Sequence, residues 1–384
     1  MNAKKQVRTW IEINSSAIHH NLGEFLGVIP KHTRFMAVVK SNAYGHGLFT
    51  VAEAMAGMKE FGTRGWFGVD SVVEALSLRR EGFRNPMLVL GHTLPDRLKE
   101  AALNDITVTA STSDALMELS KLKKPPAFHL KFDTGMHRQG FFPEKAGKVA
   151  QFLKRKKLVP SGAYTHFASA KDRGYPTYTT TQLEKFKKAG QVLKRAGFKN
   201  MILHAAASGG ALLYPESHLD MVRVGMGLYG YYPSPESTLN LSSGLFELKR
   251  VDLQPVLRWK TVVVEVKNVS EGVPVGYDLT EYTKRKTRLC IIPIGYWHGF
   301  DRGLSSVGEV LIRGRRRKVL GRVSMDMIVV DGTDSPHPKP GDEAVLVGRQ
   351  GREEVWAGEL AEKTQTSPYE VVTRINPLIK RFLK

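Results

Sequence analysis

The run Val38-Val39-Lys40-Ser41-Asn42-Ala43-Tyr44-Gly45-His46-Gly47 concentrates reactive groups more than any other stretch of the chain. An amine follows directly on an apolar, strand-like segment, and a phenol, an imidazole and two conformationally permissive glycines come next. A lysine at the C-terminal end of a barrel strand stands at the mouth, where such folds place their active sites. There its amine can form a Schiff base with an aldehyde, provided its neighbours keep it partly neutral. The plain alternative is a solvated lysine capping a strand. The Asn-Ala-Tyr-Gly-His-Gly continuation is hard to explain as a generic strand exit.

The elements that could position this lysine run from about residue 15 to 235. Ser15-Ser16-Ala17-Ile18 opens a helix with hydroxyl caps. Strand-length runs at Phe35–Val39, Met87–Gly91, Ile106–Ala110, Phe128–Phe132, Gly162–His166 and Met201–His204 alternate with helix-length stretches. The latter include Val72–Arg80 (with Glu74 near its start), Asp114–Leu122, Lys145–Lys156 and Thr181–Arg195. Such alternation predicts a parallel sheet covered on both faces, and the length and number of units fit a closed (β/α)8 barrel. After about residue 240 the texture changes. Leu257–Val266, Leu289–Ile292, Val310–Ile312, Met327–Val330 and Ala344–Val347 are β-branched runs separated by Gly, Pro and Asp turns. They predict a mostly antiparallel β domain, with a helix returning at Ala357–Lys363 before a short tail. The expected domains are therefore 1–240, an α/β barrel, and 241–384, a β-rich unit.

At 384 residues, 42% hydrophobic and 24% charged, the chain has the composition of a compact globular protein of about two domains. The single cysteine, Cys290, can close no intrachain disulfide and supply no multi-thiolate zinc site; in Leu289-Cys290-Ile291-Ile292 it reads as a buried structural thiol. No metal site is expected. No apolar run reaches the roughly 18 residues of a membrane helix. Met1–Arg8 is basic but leads directly into the strand-like Thr9-Trp10-Ile11-Glu12-Ile13, without a signal-peptide core, so a cytoplasmic setting is expected. The 57 Lys+Arg against 37 Asp+Glu, net +20, raise nucleic acid, anionic membrane or a phosphorylated ligand as partners. The excess is spread, +14 up to residue 240 and +6 beyond, with no basic arm and no basic-aromatic recognition module. Neither nucleic acid nor membrane is an expected partner.

The lysine segment resembles the pyridoxal-phosphate motif of alanine racemases, and further segments resemble other motifs of that family in the same order across nearly the whole chain. These are Lys131-Phe132-Asp133-Thr134-Gly135-Met136-His137-Arg138-Gln139-Gly140, Tyr164–Ala170, Met221–Gly230, Val275-Gly276-Tyr277, Ile294-Gly295-Tyr296 and Gly321-Arg322-Val323-Ser324-Met325-Asp326. The resemblance implies that Lys40 forms the Schiff base with pyridoxal 5'-phosphate. It implies that Tyr277 is the second acid/base, reaching into the barrel mouth of the partner subunit of a homodimer with shared active sites. Racemisation needs two opposed bases, because the α-proton leaves one face and returns on the other. By the family's assignment Lys40 serves the D-substrate face and Tyr277 the L-face, with Arg223 and His166 helping the phenol to ionise.

Arg223 would also face the pyridine nitrogen; a guanidinium donates there without handing over its proton, which keeps the ring a moderate electron sink. Ser208, the amides of Gly225 and Met226, and the phenol of Tyr44 match the family's phosphate contacts. Ser208-Gly209-Gly210 also starts an expected helix, which suits an anion. Arg138 and Met325 would bind the substrate carboxylate, and Tyr296 would narrow the way in. Lys131 corresponds to a lysine often carbamylated, and its presence favours an enzyme narrow for alanine. The resemblance thus implies interconversion of L- and D-alanine, supplying D-alanine for peptidoglycan. The alternatives are a broad-specificity racemase on the same fold, and less so a decarboxylase or carrier protein of the same cofactor. Two departures from the family pattern bear on cofactor anchoring: Ala207 stands where an asparagine is frequent, and Thr373 where many members carry a phosphate-binding tyrosine.

Overall fold

The computed structural model describes residues 7–384 apart from 63–64, 172, 174–175, 235–236, 239–240 and 242–247. The first six residues of the basic N-terminus and the expected boundary at residue 240 lie outside the described residues. The chain forms two compact units. One comprises Ser16–Ser41 and Ala52–Pro255; the other comprises the chain up to Ser15, Asn42–Val51 and Val256–Lys384.

An N-terminal strand, β1 (Thr9–Ile13), precedes the barrel-like sheet. That sheet is built from β2 (Arg34–Val38), β3 (Trp66–Val69), β4 (Met87–Val89), β5 (Ile106–Ala110), β6 (Phe128–Lys131), β7 (Gly162–Tyr164), β8 (Ile202–His204) and β9 (Met221–Val224). The eight run in the order β8-β7-β6-β5-β4-β3-β2-β9, every pair parallel. At the seam between β8 and β9 the amides of Asp220 and Arg223 donate to the carbonyls of Leu203 and Ala206, which nearly closes the ring. Buried runs such as Arg34-Phe35-Met36-Ala37-Val38, apolar after its first residue, are what a strand covered on both faces requires. The expected eight-unit α/β barrel is therefore present. Its second strand, β3, escapes notice by pattern, because Gly68 interrupts a four-residue apolar run.

The other unit is a ten-stranded sheet of β10 (Leu257–Val262), β11 (Glu265–Val269), β12 (Thr287–Ile292), β13 (Glu309–Ile312), β14 (Arg315–Leu320), β15 (Ile328–Asp331), β16 (Glu343–Gln350), β17 (Glu353–Val355) and β18 (Lys380–Leu383), together with β1. All its pairings are antiparallel except β1 with β18. β1 lies between β10 and β18, so the N-terminal residues that pattern assigns to the barrel belong to this sheet. The run read as one strand over Leu257–Val266 is two, broken at Val263-Val264. The cluster Arg313–Lys318, which looks like a solvated basic stretch, contains most of β14, with Arg317 turned inward and 3% exposed. Cys290 is fully buried on β12, and burial pushes its thiol up to about 11.

Candidate active site

Lys40 lies just beyond the end of β2, and its amine stands 3.6 Å from Asp70, just past β3. The backbone after it does something unusual. Ser41, Asn42, Ala43 and Tyr44 all have left-handed φ, between 51° and 56°, and Gly45 follows at 84°. A left-handed conformation costs a non-glycine residue roughly 1–2 kcal/mol, so four in a row persist only if surrounding contacts specify them. Those contacts are present. The Ser41 amide donates to Glu74 at 2.7 Å, and the second oxygen of the same carboxylate accepts from the Asp70 amide at 2.7 Å. The Asn42 carbonyl accepts from Gly47, and its side chain accepts from the Leu48 amide. His46 Nδ1 lies 3.0 Å from the carbonyls of both Ala43 and Tyr44. Because both acceptors are carbonyls, that nitrogen carries the proton; burial pushes the ring down to about 4 and keeps it neutral.

Arg223, on β9 and 3% exposed, sits among a set of acceptors. Its Nη2 donates to the carbonyls of Thr165 at 2.8 Å and Ala205 at 2.9 Å and lies 3.3 Å from His166 Nδ1; Nη1 lies 3.0 Å from His204 Nδ1. Burial lowers the guanidinium only to about 10, so it stays a cation and a pure donor. His204 Nδ1 must then accept. Burial and Arg223 hold His204 neutral, so its proton lies on Nε2 and is given to His129 Nδ1, 2.8 Å away. His129, pushed down to about 3 by burial and Arg223, carries its own proton on Nε2, which meets no acceptor among the described residues. Its ring fits because position 162 is glycine: a Cβ there would stand 2.6 Å from it.

Tyr164 stacks on His204, with the Arg223 guanidinium 5.2 Å and the Lys131 amine 5.4 Å from its ring centre. Lys131 donates to Gln139 at 2.8 Å, and Gln139 to Ser111. Burial first, then Arg138, Arg223 and Lys40, bring Lys131 down to about 8. Burial, followed by the cations Arg223, Arg138, Lys131 and Lys40, pushes His166 to about 3. Arg138 is exposed on the loop after β6. That loop is shaped by Asp133, whose carboxylate accepts the amides of Gly135, His137 and Arg138 at 2.8–3.0 Å. Burial raises the Asp133 pKa, but these backbone donors outweigh it and hold the group below its usual value. Ser208 opens a short helix, and its hydroxyl accepts from the amides of Gly225 at 3.1 Å and Gly227 at 3.3 Å; Met226 is buried between them.

Tyr277, Tyr296 and Met325 are all in the β-rich unit, 68%, 44% and 50% exposed. They lie on loops tied to one short segment. Asp278, beside Tyr277, pairs with Arg322 at 3.1 Å, while the amides of Tyr296 and Trp297 donate to the carbonyls of Ser324 and Met325. Gly295 is required there, because a Cβ would stand 2.1 Å from the Ser324 carbonyl. Thr373, flagged by sequence as a missing phenol, is exposed. One turn earlier on the same helix Tyr369 packs edge-on against Tyr44, with ring centres 6.5 Å apart. Sequence reasoning did not single out Asp70, Glu74, Gln139 or His129, which bond to candidate residues or their neighbours, or Tyr369, which packs on Tyr44; only Glu74, at the third position of its helix, carries a local signal.

A family model of the alanine racemase N-terminal domain matches residues 13–233, and one of the C-terminal domain matches residues 256–383. The alanine racemase of Symbiobacterium thermophilum is 39% identical over 97% of this chain and 96% of its own length. Among solved structures, the alanine racemase of Clostridium difficile 630 superimposes with a TM-score of 0.89 at 31% identity, covering 98% of this chain and 96% of that one. The enzyme from Bartonella henselae, described with covalently bound pyridoxal phosphate, does so with a TM-score of 0.84 at 26% identity, covering 98% of this chain and all of its own. With both domain models matched in order along nearly its whole length, the chain belongs to the alanine racemase family.

Proposed function

We propose that the chain interconverts L- and D-alanine using pyridoxal 5'-phosphate, with Lys40 and Tyr277 as the two acid/base groups. The observation that carries this reading is the donor set at the barrel mouth: a primary amine at Lys40, a buried guanidinium at Arg223, and a hydroxyl with two amides at Ser208, Gly225 and Gly227. It fits an aldehyde, a ring nitrogen and a phosphate in turn. The amide of Met226 lies within the same turn, and Tyr44 would contribute its phenol by the family's assignment. Bound pyridoxal phosphate supplies an electron sink that acidifies the α-hydrogen of alanine.

The rest is the work of the chain's own residues. Lys40 Nζ takes or returns the proton on the D-face, and the Tyr277 phenol, contributed by the partner subunit, acts on the other. Arg223 would hold the ring nitrogen by a hydrogen bond without protonating it, since its neutral histidine partners accept from the cation and offer it nothing in return. Arg138 holds the substrate carboxylate, assisted by the Met325 amide, and Tyr296 limits the size of what enters. Lys131, lowered to about 8 and 6% exposed, offers a larger share of the neutral amine that carbon dioxide needs for carbamate formation than an ordinary lysine does, R–NH2 + CO2 giving R–NH–COO⁻ and a proton. The exposed Tyr277, Tyr282, Tyr296, Trp297, Met325 and Met327 support a shared-site homodimer, since clustered apolar exposure marks an interaction surface. A cytoplasmic role in supplying D-alanine for peptidoglycan accords with the lone, buried thiol. No helix among the described residues is long and apolar enough to cross a membrane.

The purified protein is expected to show a visible cofactor absorbance that borohydride removes, and Lys40→Ala should lose both absorbance and turnover. Retention of both would sink the assignment. Tyr277→Phe should slow α-hydrogen exchange unequally for the two enantiomers; equal, small effects would remove Tyr277 from its role. Serine, lysine and arginine assayed beside alanine define the substrate range.

A further inference from the structure

Within the β-rich unit, the guanidinium of Arg381 makes five hydrogen bonds, every one to a backbone carbonyl. Nε and Nη2 converge on Gly45 at 3.2 and 2.9 Å, Nη2 also reaches Ile375 at 3.3 Å, and Nη1 donates to Asn376 at 2.8 Å and to Ile379. That equals the number of N–H donors the group possesses. No carboxylate pairs with it among the described residues, and burial alone lowers it to about 10. Drawing a cation away from water onto neutral carbonyls is costly unless each donor is well used. Three of the four carbonyls belong to the segment leading into β18, where Arg381 stands opposite Ile11 of β1. The fourth belongs to Gly45, directly after the left-handed turn.

Two glycines fit this contact. A Cβ at Gly45 would stand 1.9 Å from the Val372 carbonyl, and one at Gly47 would stand 3.3 Å from Arg381 Cγ. The turn and the C-terminal segment are therefore shaped to each other, and Tyr44, whose carbonyl precedes Gly45, is carried by that fit.

We infer that Arg381 is a positioning residue for the cofactor phosphate, acting through the Gly45 carbonyl to hold the turn that aims the Tyr44 phenol. The inference rests on the cofactor reading above. It requires that loss of Arg381 act on the phosphate and not on the aldehyde, because Lys40 is also held through Glu74 and Asp70.

The test titrates the cofactor-stripped full-length chain with pyridoxal phosphate and, separately, with pyridoxal, which lacks the phosphate. Arg381→Lys keeps the charge but cannot span four carbonyls. Its dissociation constant for pyridoxal phosphate should rise about tenfold or more, the worth of one hydrogen bond to a charged group, with little change for pyridoxal. Gly45→Ala, which breaks the same contact from the other side, should give the same pattern. Combining Arg381→Lys with Tyr44→Phe should weaken binding no further than Tyr44→Phe alone. Amide exchange over residues 42–47 should quicken in Arg381→Lys whether or not cofactor is present. Unchanged exchange, or an equal loss for both ligands, overturns the inference. A wild-type chain that binds neither ligand overturns the cofactor reading instead, and the exchange measurement still judges Arg381.

Discussion

At the scale of single residues, the site works by keeping imidazoles neutral beside cations. His46, His129 and His166 are pushed to about 4, 3 and 3, and His204 lies well below its ordinary value, burial being the largest cause each time. In the unfolded chain these rings titrate near 6.5, so below that pH the unfolded state takes up protons that the folded state refuses. The stability they confer is complete above about pH 6.5 and is lost as pH falls towards 4, at up to roughly 1.4 kcal/mol per pH unit for each ring. The melting temperature should therefore fall steadily between about pH 7 and pH 5; a flat profile would contradict the neutral assignment. The neutral chain also has a spectroscopic consequence: nitrogen chemical shifts should report His204 and His129 as Nε2–H tautomers, and a protonated His204 at neutral pH would break the argument for Arg223 as a pure donor. None of this pairing is visible in sequence, since His129, His204 and Arg223 come from β6, β8 and β9.

At the scale of elements, Glu74 deserves the prediction. It belongs to the first turn of Val72–Arg80, where an acidic residue is expected on local grounds, and Ser71 caps its amide at 3.3 Å. Its carboxylate folds back past its own helix start to the amide of Asp70, just before the N-cap, and also accepts from Ser41, so it ties together the two residues that flank the Lys40 amine in sequence and in space. Glu74→Ala should cost about 1.5–3 kcal/mol per lost charged hydrogen bond, quicken exchange of the Ser41 and Asp70 amides, and lower turnover more than Glu74→Gln. If Glu74→Ala left both amides protected, the left-handed turn would have to be held from elsewhere.

At the scale of the whole molecule, part of the charge excess is met by local ion pairs. Arg316, in the most basic run of the chain, is surrounded by Glu309, Glu353 and Glu359, and Arg317 is buried. The cations Lys40, Lys131, Arg138 and Arg223 instead gather at the barrel mouth with few acids, a field that favours an anionic cofactor and a carboxylate substrate. Assembly is the remaining question at this scale. In a dimer with shared sites, mixing refolded Lys40→Ala and Tyr277→Phe chains yields heterodimers with one intact site, so activity should return to about one quarter of wild type. No recovery would place both groups on the same chain.

The sequence by itself determined the parallel strands that carry the candidate residues, because the apolar run before Lys40 and the one before the Arg138 loop are legible from composition and period. It also determined the division into a parallel α/β part and an antiparallel part. What it could not determine was every partnership between residues far apart in the chain: β1 with β10 and β18, Tyr369 with Tyr44, Arg381 with Gly45, His129 with His204. The reason is physical. Periodicity records whether a residue faces a core, and a local motif records backbone conformation. Which distant atom fills a given hydrogen-bonding position is decided only when packing brings the strands together, and with that decision come the tautomers, the depressed pKa values and the left-handed turn that follows Lys40.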